Sequence, residues 1–178
     1  NRMFRNGGGQ GFQDVTTSGG FGLIQKGHGV AFGDIDQDGD QDVFAAMGGA
    51  YEGDLARNVL FQNPGHGNHS LTLRLVGQAT NRSAIGARVT VGFSDAGVSR
   101  EVHRMVTSGS SFGGNPLRLD IGLGQSVGPV SVSVLWPTTG LVEEIGPVSV
   151  DTEYTIVEGI GVTETVARVP FSLGAAGR

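Results

Sequence analysis

The stretch Asp34-Ile35-Asp36-Gln37-Asp38-Gly39-Asp40-Gln41-Asp42 carries five carboxylates at alternate positions in nine residues. Two carboxylates about 4 Å apart repel each other by roughly 1 kcal/mol even in bulk water, and by more when they are partly desolvated. A loop of this kind has little reason to fold alone, but a divalent cation converts the repulsion into coordination. The acidic stretch therefore predicts a metal-binding loop.

The spacing of the aspartates indicates which cation the loop would bind. Oxygen ligands at alternate positions suit Ca²⁺, which accepts roughly 6–8 oxygens in a flexible geometry, whereas Mg²⁺ uses fewer protein ligands. Gly39 at loop position six permits the sharp turn, and no thiol or imidazole is interleaved that would favour zinc. The predicted calcium ligands are Asp34, Asp36, Asp38, the main-chain carbonyl of Asp40, and Asp42.

The residues around this loop favour a β-hairpin over an EF-hand. Position twelve of the loop, where an EF-hand has Glu, is Ala45. Residues 30–33 lead into the loop and residues 43–46 lead out of it, and both segments are short and apolar like strands. The alternative is an acidic turn that is merely solvated. The strict alternation with a glycine at position six favours the calcium loop.

Composition and charge restrict the fold and the function classes. The 32 glycines among 178 residues indicate many turns and an all-β fold. The net charge of -5 leaves no basic face for phosphate, so nucleic acid is not expected as a partner. No apolar run approaches the ~20 residues of a membrane span. The chain has no cysteine, and a calcium-stabilised chain suits an extracellular or cell-surface setting.

Residues 1–67 contain an internal repeat. Residues 1–6 read Asn-Arg-Met-Phe-Arg-Asn, and residues 58–63 repeat this pattern as Asn-Val-Leu-Phe-Gln-Asn. A short strand that runs into a turn and then recurs is typical of stacked blades or solenoid coils. Because the chain opens in mid-pattern at Asn1, without an initiator Met or a signal peptide, it suits a mature product or an excised fragment.

The N-terminal motifs resemble the FG-GAP/VCBS repeat of integrin-type β-propellers. The resemblance rests on residues 1–6, on Gly-x-Gly-Phe-x-Asp-Val-Thr at residues 9–16, and on the acidic loop with its flanks at residues 29–43. In that family the acidic loop binds calcium within a hairpin, so the resemblance implies a calcium-binding, propeller-like blade over residues 1–67. A propeller needs several blades, and this segment holds barely one.

Longer alternating segments begin at about residue 68. About seven strands with a period of two, each ended by Gly, Pro or Asn, are typical of a β-sandwich, which we predict over residues 68–160. The predicted strands cover residues 71–75, 85–91, 98–106, 117–123, 130–136, 141–150 and 154–158. The residues expected to face the core are Leu73, Val89, Val102, Leu119, Val132, Val134 and Trp136.

Four motifs of this region resemble the ASPIC/UnbV domain, which follows such repeats in cartilage acidic protein and in many bacterial secreted proteins. The motifs are Asn-Arg-Ser-Ala-Ile-Gly-Ala-Arg-Val at 81–89, Ser-Gly-Ser-Ser-Phe at 108–112, Leu-Asp-Ile-Gly-Leu-Gly at 119–124 and Val-Leu-Trp-Pro at 134–137. The resemblance implies an extracellular β-domain without established catalytic residues.

Residues 161–178 extend beyond the predicted sandwich. Residues 162–169 alternate like one more strand, and residues 174–178 are expected to form a flexible end. A strand added to a complete sandwich must pair either with an edge of its own sheet or with a neighbouring molecule.

Motifs for catalysis and modification are weak. Residues 109–113 fit the Gly-x-Ser-x-Gly pattern of a hydrolase, but that motif needs a following helix and a later histidine, and all four histidines precede Ser111. We therefore predict a protein that is not an enzyme. Asn68-His69-Ser70 and Asn81-Arg82-Ser83 are N-glycosylation sequons, which makes Asn68 and Asn81 candidate modification sites.

Two hypotheses for function follow from these patterns. The first is a calcium-binding extracellular structural protein that self-assembles or mediates cohesion through open β-edges, for example as the subunit of a filament or surface polymer. Its partner would be a second copy of the chain that adds a strand. The alternative is a protein- or glycan-binding fragment of a larger propeller-containing adhesin or receptor.

Overall fold

A computed structural model describes residues 2–49, 51–109 and 112–174, and within these residues it contains strands and no helix. The all-β prediction is confirmed. No helix that is long and apolar enough to cross a membrane occurs in the described ranges. Ser110 and Ser111 of the Gly-x-Ser-x-Gly motif lie outside them, as do residues 175–178 of the predicted flexible end.

Thirteen strands run through the described chain. They are β1 (Phe4–Asn6), β2 (Phe12–Asp14), β3 (Gly27–Gly33), β4 (Asp42–Met47), β5 (Val59–Phe61), β6 (His69–Val76), β7 (Arg88–Asp95), β8 (Val98–Met105), β9 (Leu119–Gly124), β10 (Val130–Leu135), β11 (Val142–Val148), β12 (Thr152–Val157) and β13 (Gly161–Ala167).

The strands from β6 onward form two four-stranded sheets with the orders β11-β10-β7-β8 and β13-β12-β6-β9. Strands β6 to β12 correspond to the seven predicted ones, so the sandwich-like arrangement is confirmed. Most neighbours are antiparallel, but β6 and β12 run parallel, with Leu71 opposite Thr152. The predicted strand at residues 85–91 begins later, at Arg88, because Ala84 and Gly86 have φ angles of 54° and 94° and form a turn.

Alternating residues of both sheets are buried in a single apolar core. Of the seven residues expected there, Val102 is only partly buried, since it lies on the edge strand β8, but it packs against the core. The other six are buried: Leu73, Val89, Leu119, Val132, Val134 and Trp136. The indole N–H of Trp136 donates to Glu143 Oε2 (2.5 Å), which satisfies the polar atom of the buried ring.

The N-terminal part forms two separate small sheets. Strands β1 and β2 form a hairpin, and β3, β4 and β5 form an antiparallel sheet with β4 in the centre. The predicted propeller-like blade is not confirmed, because the first hairpin does not join the three-stranded sheet. The β3–β4 hairpin carries the acidic loop, and its pairing ends at Gly33 opposite Asp42.

Among the described residues, the outer edges of β5 and β13 have no strand neighbour, whereas the outer edge of β3 is covered. Strand β13 pairs with β12 of its own sheet, so its other edge is an outer edge, and β5 likewise pairs only with β4. Residues 112–116 run along the outer edge of β3, where Phe32 N donates to Asn115 Oδ1 (2.9 Å). A Cβ on Gly113 would lie 2.9 Å from Val30 O, which explains a glycine at this close approach.

Candidate metal centre

The acidic loop curls back on itself between β3 and β4. Gln37 and Gly39 have φ angles of 58° and 98°, which reverse the chain. Gly39 N donates to Asp34 Oδ2 (3.1 Å), and Asp40 N donates to Asp38 Oδ1 (2.9 Å). One carboxylate oxygen from each of Asp34, Asp36 and Asp38 lies within 4.8 Å of the others. The structure thus brings together three of the five predicted ligands.

Two of these three carboxylates are buried with an oxygen that lacks a partner. Asp34 and Asp36 are 7% and 3% exposed, and Asp34 Oδ1 and Asp36 Oδ1 have no hydrogen-bond partner among the described residues. The other oxygen of Asp36 accepts a hydrogen bond from Gln62 Nε2 (2.5 Å). An ionised carboxylate removed from water without full compensation costs on the order of several kcal/mol. A positive charge bound beside these two oxygens would offset that cost.

The pKa of Asp34 agrees with the lack of a partner for its Oδ1 atom. Burial raises the pKa of the Asp34 carboxyl above its ordinary value, and the N–H of Gly39 and the positive charge of Arg168 oppose that rise only in part. An opposite charge within about 4–6 Å favours the ionised form. A bound cation would keep this carboxylate ionised.

The carboxylates of Asp40 and Asp42 lie outside the group of three. Asp42 is 1% exposed and accepts hydrogen bonds from Ile35 N (3.0 Å) and Asn63 N (2.8 Å). The side chain of Asp40 accepts one from His66 N (3.2 Å). Both side chains brace the loop against the connector that follows β5. The ligand roles of Asp42 and of the Asp40 carbonyl stay predictions.

Two arginines of the sandwich region reach the loop. Arg118 Nη2 donates to the main-chain oxygen of Asp34 (3.1 Å), and Arg168 Nε lies 3.8 Å from Asp34 Oδ2. Arg118 is itself held by Asp120, with 3.1 Å between Nε and Oδ1. The loop therefore lies at the junction between the three-stranded sheet and the sandwich. No local pattern in the sequence marks these arginines, because Arg118 is 84 positions from Asp34.

The chemistry of the residues present fits a hard divalent cation. All the clustered groups are carboxylates, two of them have unpartnered buried oxygens, and no sulfur or imidazole takes part in the cluster. Zinc sites use thiolate and imidazole ligands, whereas calcium sites use several carboxylate and carbonyl oxygens. The arrangement therefore suits Ca²⁺ better than zinc.

The two sequon asparagines are both exposed but differ in their contacts. Asn81 Nδ2, the atom that would carry a glycan, donates to the main-chain oxygen of Ile85 (2.8 Å), and Asn81 Oδ1 accepts from Ile85 N (2.9 Å). Asn68 Oδ1 accepts a hydrogen bond from Gln125 Nε2 (2.8 Å). Modification of Asn81 would disturb the turn before β7, so Asn68 is the better candidate of the two.

Comparison with known families matches part of the chain. Residues 77–163 match the family described as ASPIC and UnbV, which is just under half of the 178 residues. The matched segment runs from the end of β6 to the start of β13, in agreement with the resemblance carried by the sandwich motifs. The acidic loop lies outside it, so the FG-GAP/VCBS resemblance and the domain boundaries stay predictions. A search of curated proteins finds no match to this chain.

Proposed function

We propose that this chain is a calcium-binding structural protein, without enzymatic activity, of the extracellular space or the cell surface. Its ion would bind at the acidic loop, in the manner of the FG-GAP/VCBS repeat. Further copies would associate through the strand edges of β5 and β13. Each part of this proposal has its own support and its own test.

The observation that carries the proposal is the pair of unpartnered buried oxygens, Asp34 Oδ1 and Asp36 Oδ1. A bound Ca²⁺ would supply the positive charge that these oxygens lack. Asp34, Asp36 and Asp38 would hold it. Gln62 fixes the Asp36 carboxylate through its amide, and Gly39 N fixes the Asp34 carboxylate, so both groups are already oriented by the chain.

The position of the loop explains what an ion would stabilise. The loop contacts the β5–β6 connector through Asn63 and His66, and it contacts the sandwich through Arg118. An ion that rigidifies the loop would therefore hold the N-terminal sheet against the sandwich. Extracellular calcium sites commonly have dissociation constants of about 10⁻⁴–10⁻³ M, which the calcium outside cells is high enough to saturate. A site of that affinity in this chain would be filled outside cells, which is why we place the protein there.

Calorimetric titration of calcium into the full chain tests the binding directly. We expect one calcium site per chain, with affinity reduced at least about tenfold in Asp38→Asn, because one ligand loses its charge. Asp38 is exposed, so this change should leave the fold intact. Asp54→Asn, outside the cluster, is the matched control and should bind like the wild type. Absence of binding heat in the wild type would contradict the proposal.

Association through strand edges is supported by the unpaired outer edges of β5 and β13. An exposed edge presents a row of free N–H and C=O groups to which another strand can pair. We expect sedimentation velocity to detect larger species in calcium than in EGTA. A monomer in both solutions would remove the assembly part of the proposal and leave the calcium part standing.

A second candidate function, a module of a larger propeller-containing adhesin or receptor, is favoured by an apolar sheet face. Phe44 and Leu60 lie opposite each other in β4 and β5 and are 40% and 41% exposed. Neighbouring blades cover such faces in a propeller. The upstream coding sequence separates the candidates: further Asp-rich repeats there favour the adhesin module, and a signal peptide directly before Asn1 favours the assembly protein.

For the adhesin module, a depression on the sandwich surface offers a position for a glycan. The depression lies on the outer face of the sheet β11-β10-β7-β8, is open, and has a volume of about 490 Å³. Its lining combines polar groups of Thr90, His103 and Ser133 with the apolar side chains of Met105, Leu135 and Val142. Hydroxyl and imidazole groups of this kind donate and accept hydrogen bonds to sugar hydroxyls. We expect binding on a glycan array to be lost in His103→Ala. Equal signals from both proteins would argue against this site.

A further inference from the structure

The chain that follows β13 folds back onto the acidic loop. Residues 168–171, which we call the latch, come directly after this edge strand. Phe171 N donates to the main-chain oxygen of Asp36 (2.9 Å). The side chain of Arg168 is 11% exposed and extends to Asp34. The latch thus contacts two of the three clustered aspartates, one through the main chain and one through a guanidinium group.

The guanidinium of Arg168 links the loop to the first strand of the sandwich. Its Nη1 donates to Ser70 Oγ (2.6 Å), and its Nη2 donates to Thr72 Oγ1 (3.3 Å). Both hydroxyl residues are buried on β6. The third nitrogen, Nε, faces Asp34 Oδ2 at 3.8 Å. Arg168 therefore spans the gap between β6 and the acidic loop.

Gly39 leaves the space that the latch occupies. A Cβ at this position would collide with the guanidinium of Arg168 and would lie 2.9 Å from Ser70 Oγ. The glycine at loop position six therefore serves two purposes. It permits the turn of the loop, and it lets the arginine reach Asp34.

Strand β13 itself is held weakly by side-chain packing. Val162 and Val166 are 41% and 46% exposed, and the strand pairs only with β12. Segments with few buried apolar contacts open at a low free-energy cost. The contacts of the latch therefore add to the backbone pairing with β12 in holding this edge strand in place.

We propose that Arg168 and Phe171 are positioning residues of the calcium site, and that calcium binding at the loop is coupled to docking of the latch and β13. This inference rests on the proposed function. Without an ion, the three carboxylates within 4.8 Å repel one another and loosen the loop. The groups that receive the latch, the Asp34 carboxylate and the Asp36 carbonyl, are part of that loop.

Thermodynamic linkage makes the coupling reciprocal. If calcium strengthens docking of the latch by some factor, a docked latch strengthens calcium binding by the same factor. A consequence concerns the outer edge of β13, which the proposed function assigns to assembly. When the latch and β13 are released, that edge is no longer held in place for strand addition, so association through it would depend on calcium.

Hydrogen exchange of the full chain in calcium and in EGTA tests the coupling. We expect amides of residues 161–171 to gain about tenfold protection in calcium, within the range typical of coupled sites. Phe171→Pro removes the N–H donor without a change of charge and should lose this gain. Phe171→Ala keeps the N–H and should retain it. By reciprocity, calcium affinity should fall several-fold in the proline variant only.

A second pair of variants tests the latch without proline, so that loss of the latch contacts is separated from a local distortion of the chain. Arg168→Gln should also lose the calcium-dependent protection of β13, while Arg82→Gln, at an exposed position, should keep it. If calcium protects residues 34–42 but leaves residues 161–171 unchanged, the latch proposal is overturned and the metal site stands. If calcium protects neither segment and releases no binding heat, the proposed function itself fails.

Discussion

Buried carboxylates occur in two regions of the molecule, and their surroundings differ. In the sandwich, Glu158 is 5% exposed and accepts hydrogen bonds from Gln78 N (2.8 Å), Thr80 N (2.7 Å), Thr80 Oγ1 (3.0 Å) and Thr139 Oγ1 (3.2 Å). In the acidic loop, Asp34 and Asp36 are about as buried, but each has an oxygen without a partner. The first site is complete within the chain, whereas the second is not.

The pKa values of Glu158 and Asp34 shift in opposite directions because the two carboxylates differ in the number of hydrogen-bond donors around them. Desolvation raises the pKa of Glu158, but the donors of Thr80, Gln78 and Thr139 outweigh it, and the net pKa is lowered. For Asp34 desolvation dominates and the pKa is raised. The Glu158 carboxylate is thus fully satisfied by donors of the chain, whereas Asp34 and Asp36 each keep an oxygen that a bound ion would satisfy under our proposal.

Removal of the Glu158 carboxylate should lower the free energy of unfolding more than any other change. Glu158→Ala leaves the buried N–H of Thr80 and the partly buried N–H of Gln78 without their acceptor, and we expect a loss of about 3 kcal/mol in the free energy of unfolding. The loss should be the same in calcium and in EGTA, because this site needs no ion. Urea unfolding in both buffers measures it. A loss that depends on calcium would break the distinction between the two regions.

Calcium should contribute the next largest effect, through the loop alone. At a free concentration of 100 times the dissociation constant, a ligand that binds only the folded state stabilises it by about 2.7 kcal/mol. We expect this increment in the wild type and in Glu158→Gln. Asp36→Asn should lose most of it while unfolding normally in EGTA. The measurement is the difference in unfolding free energy between calcium and EGTA for the three proteins.

If Asp36→Asn were equally destabilised in both buffers, the aspartate would be serving the fold and not an ion. The amide can still accept a hydrogen bond from Gln62 through its oxygen, so the variant changes the charge more than the contacts.

Replacement of Gly39 should lower the stability by a somewhat smaller amount. Gly39→Ala forces a side chain onto a residue with φ of 98° and into the guanidinium of Arg168, and we expect a loss of about 2 kcal/mol. Thermal unfolding of the variant in calcium checks the value. Gly97→Ala is a control for strain alone, since its φ is 80° and nothing lies near its Cβ position. Equal losses in both variants would mean that Arg168 adds nothing.

The smallest effect should be the difference in unfolding free energy between the wild type and Glu158→Gln, which depends on pH. Because the folded pKa of Glu158 is lowered from its ordinary value of 4.5, its stabilising effect is present above that value and is lost as pH falls through the lower folded pKa. At pH 7 we expect wild type to exceed Glu158→Gln by about 1 kcal/mol. The gap should close as the solution is acidified below about pH 4. A gap that stays constant from pH 7 to pH 3 would show that charge plays no part.

Much of the sandwich could be predicted because its signal is local. Leu73, Val89 and Val134 lie in strands whose alternation has the period of a pleated sheet, and all three are buried as expected. The turn before β7 was harder to place. Ile85 and Ala87 continue the apolar alternation in sequence, but the positive φ angles of Ala84 and Gly86 delay the strand.

The clustered aspartates of the acidic loop were predictable from the sequence, but the residues that surround them were not. The spacing of Asp34, Asp36 and Asp38 predicts their convergence, since the turn at Gly39 is local. Arg118 and Arg168 reach the loop through tertiary packing, and no periodic pattern marks residues that meet across the sheets. The same holds for Asp42, whose two main-chain donors come from different segments of the chain.

Anomalous X-ray diffraction from crystals grown in calcium tests the central claim most directly. Our account predicts one calcium peak in the acidic loop, at about 2.3–2.6 Å from oxygens of Asp34, Asp36 and Asp38. No such peak should appear at Glu158. Crystals with no anomalous peak among the three aspartates would contradict the account.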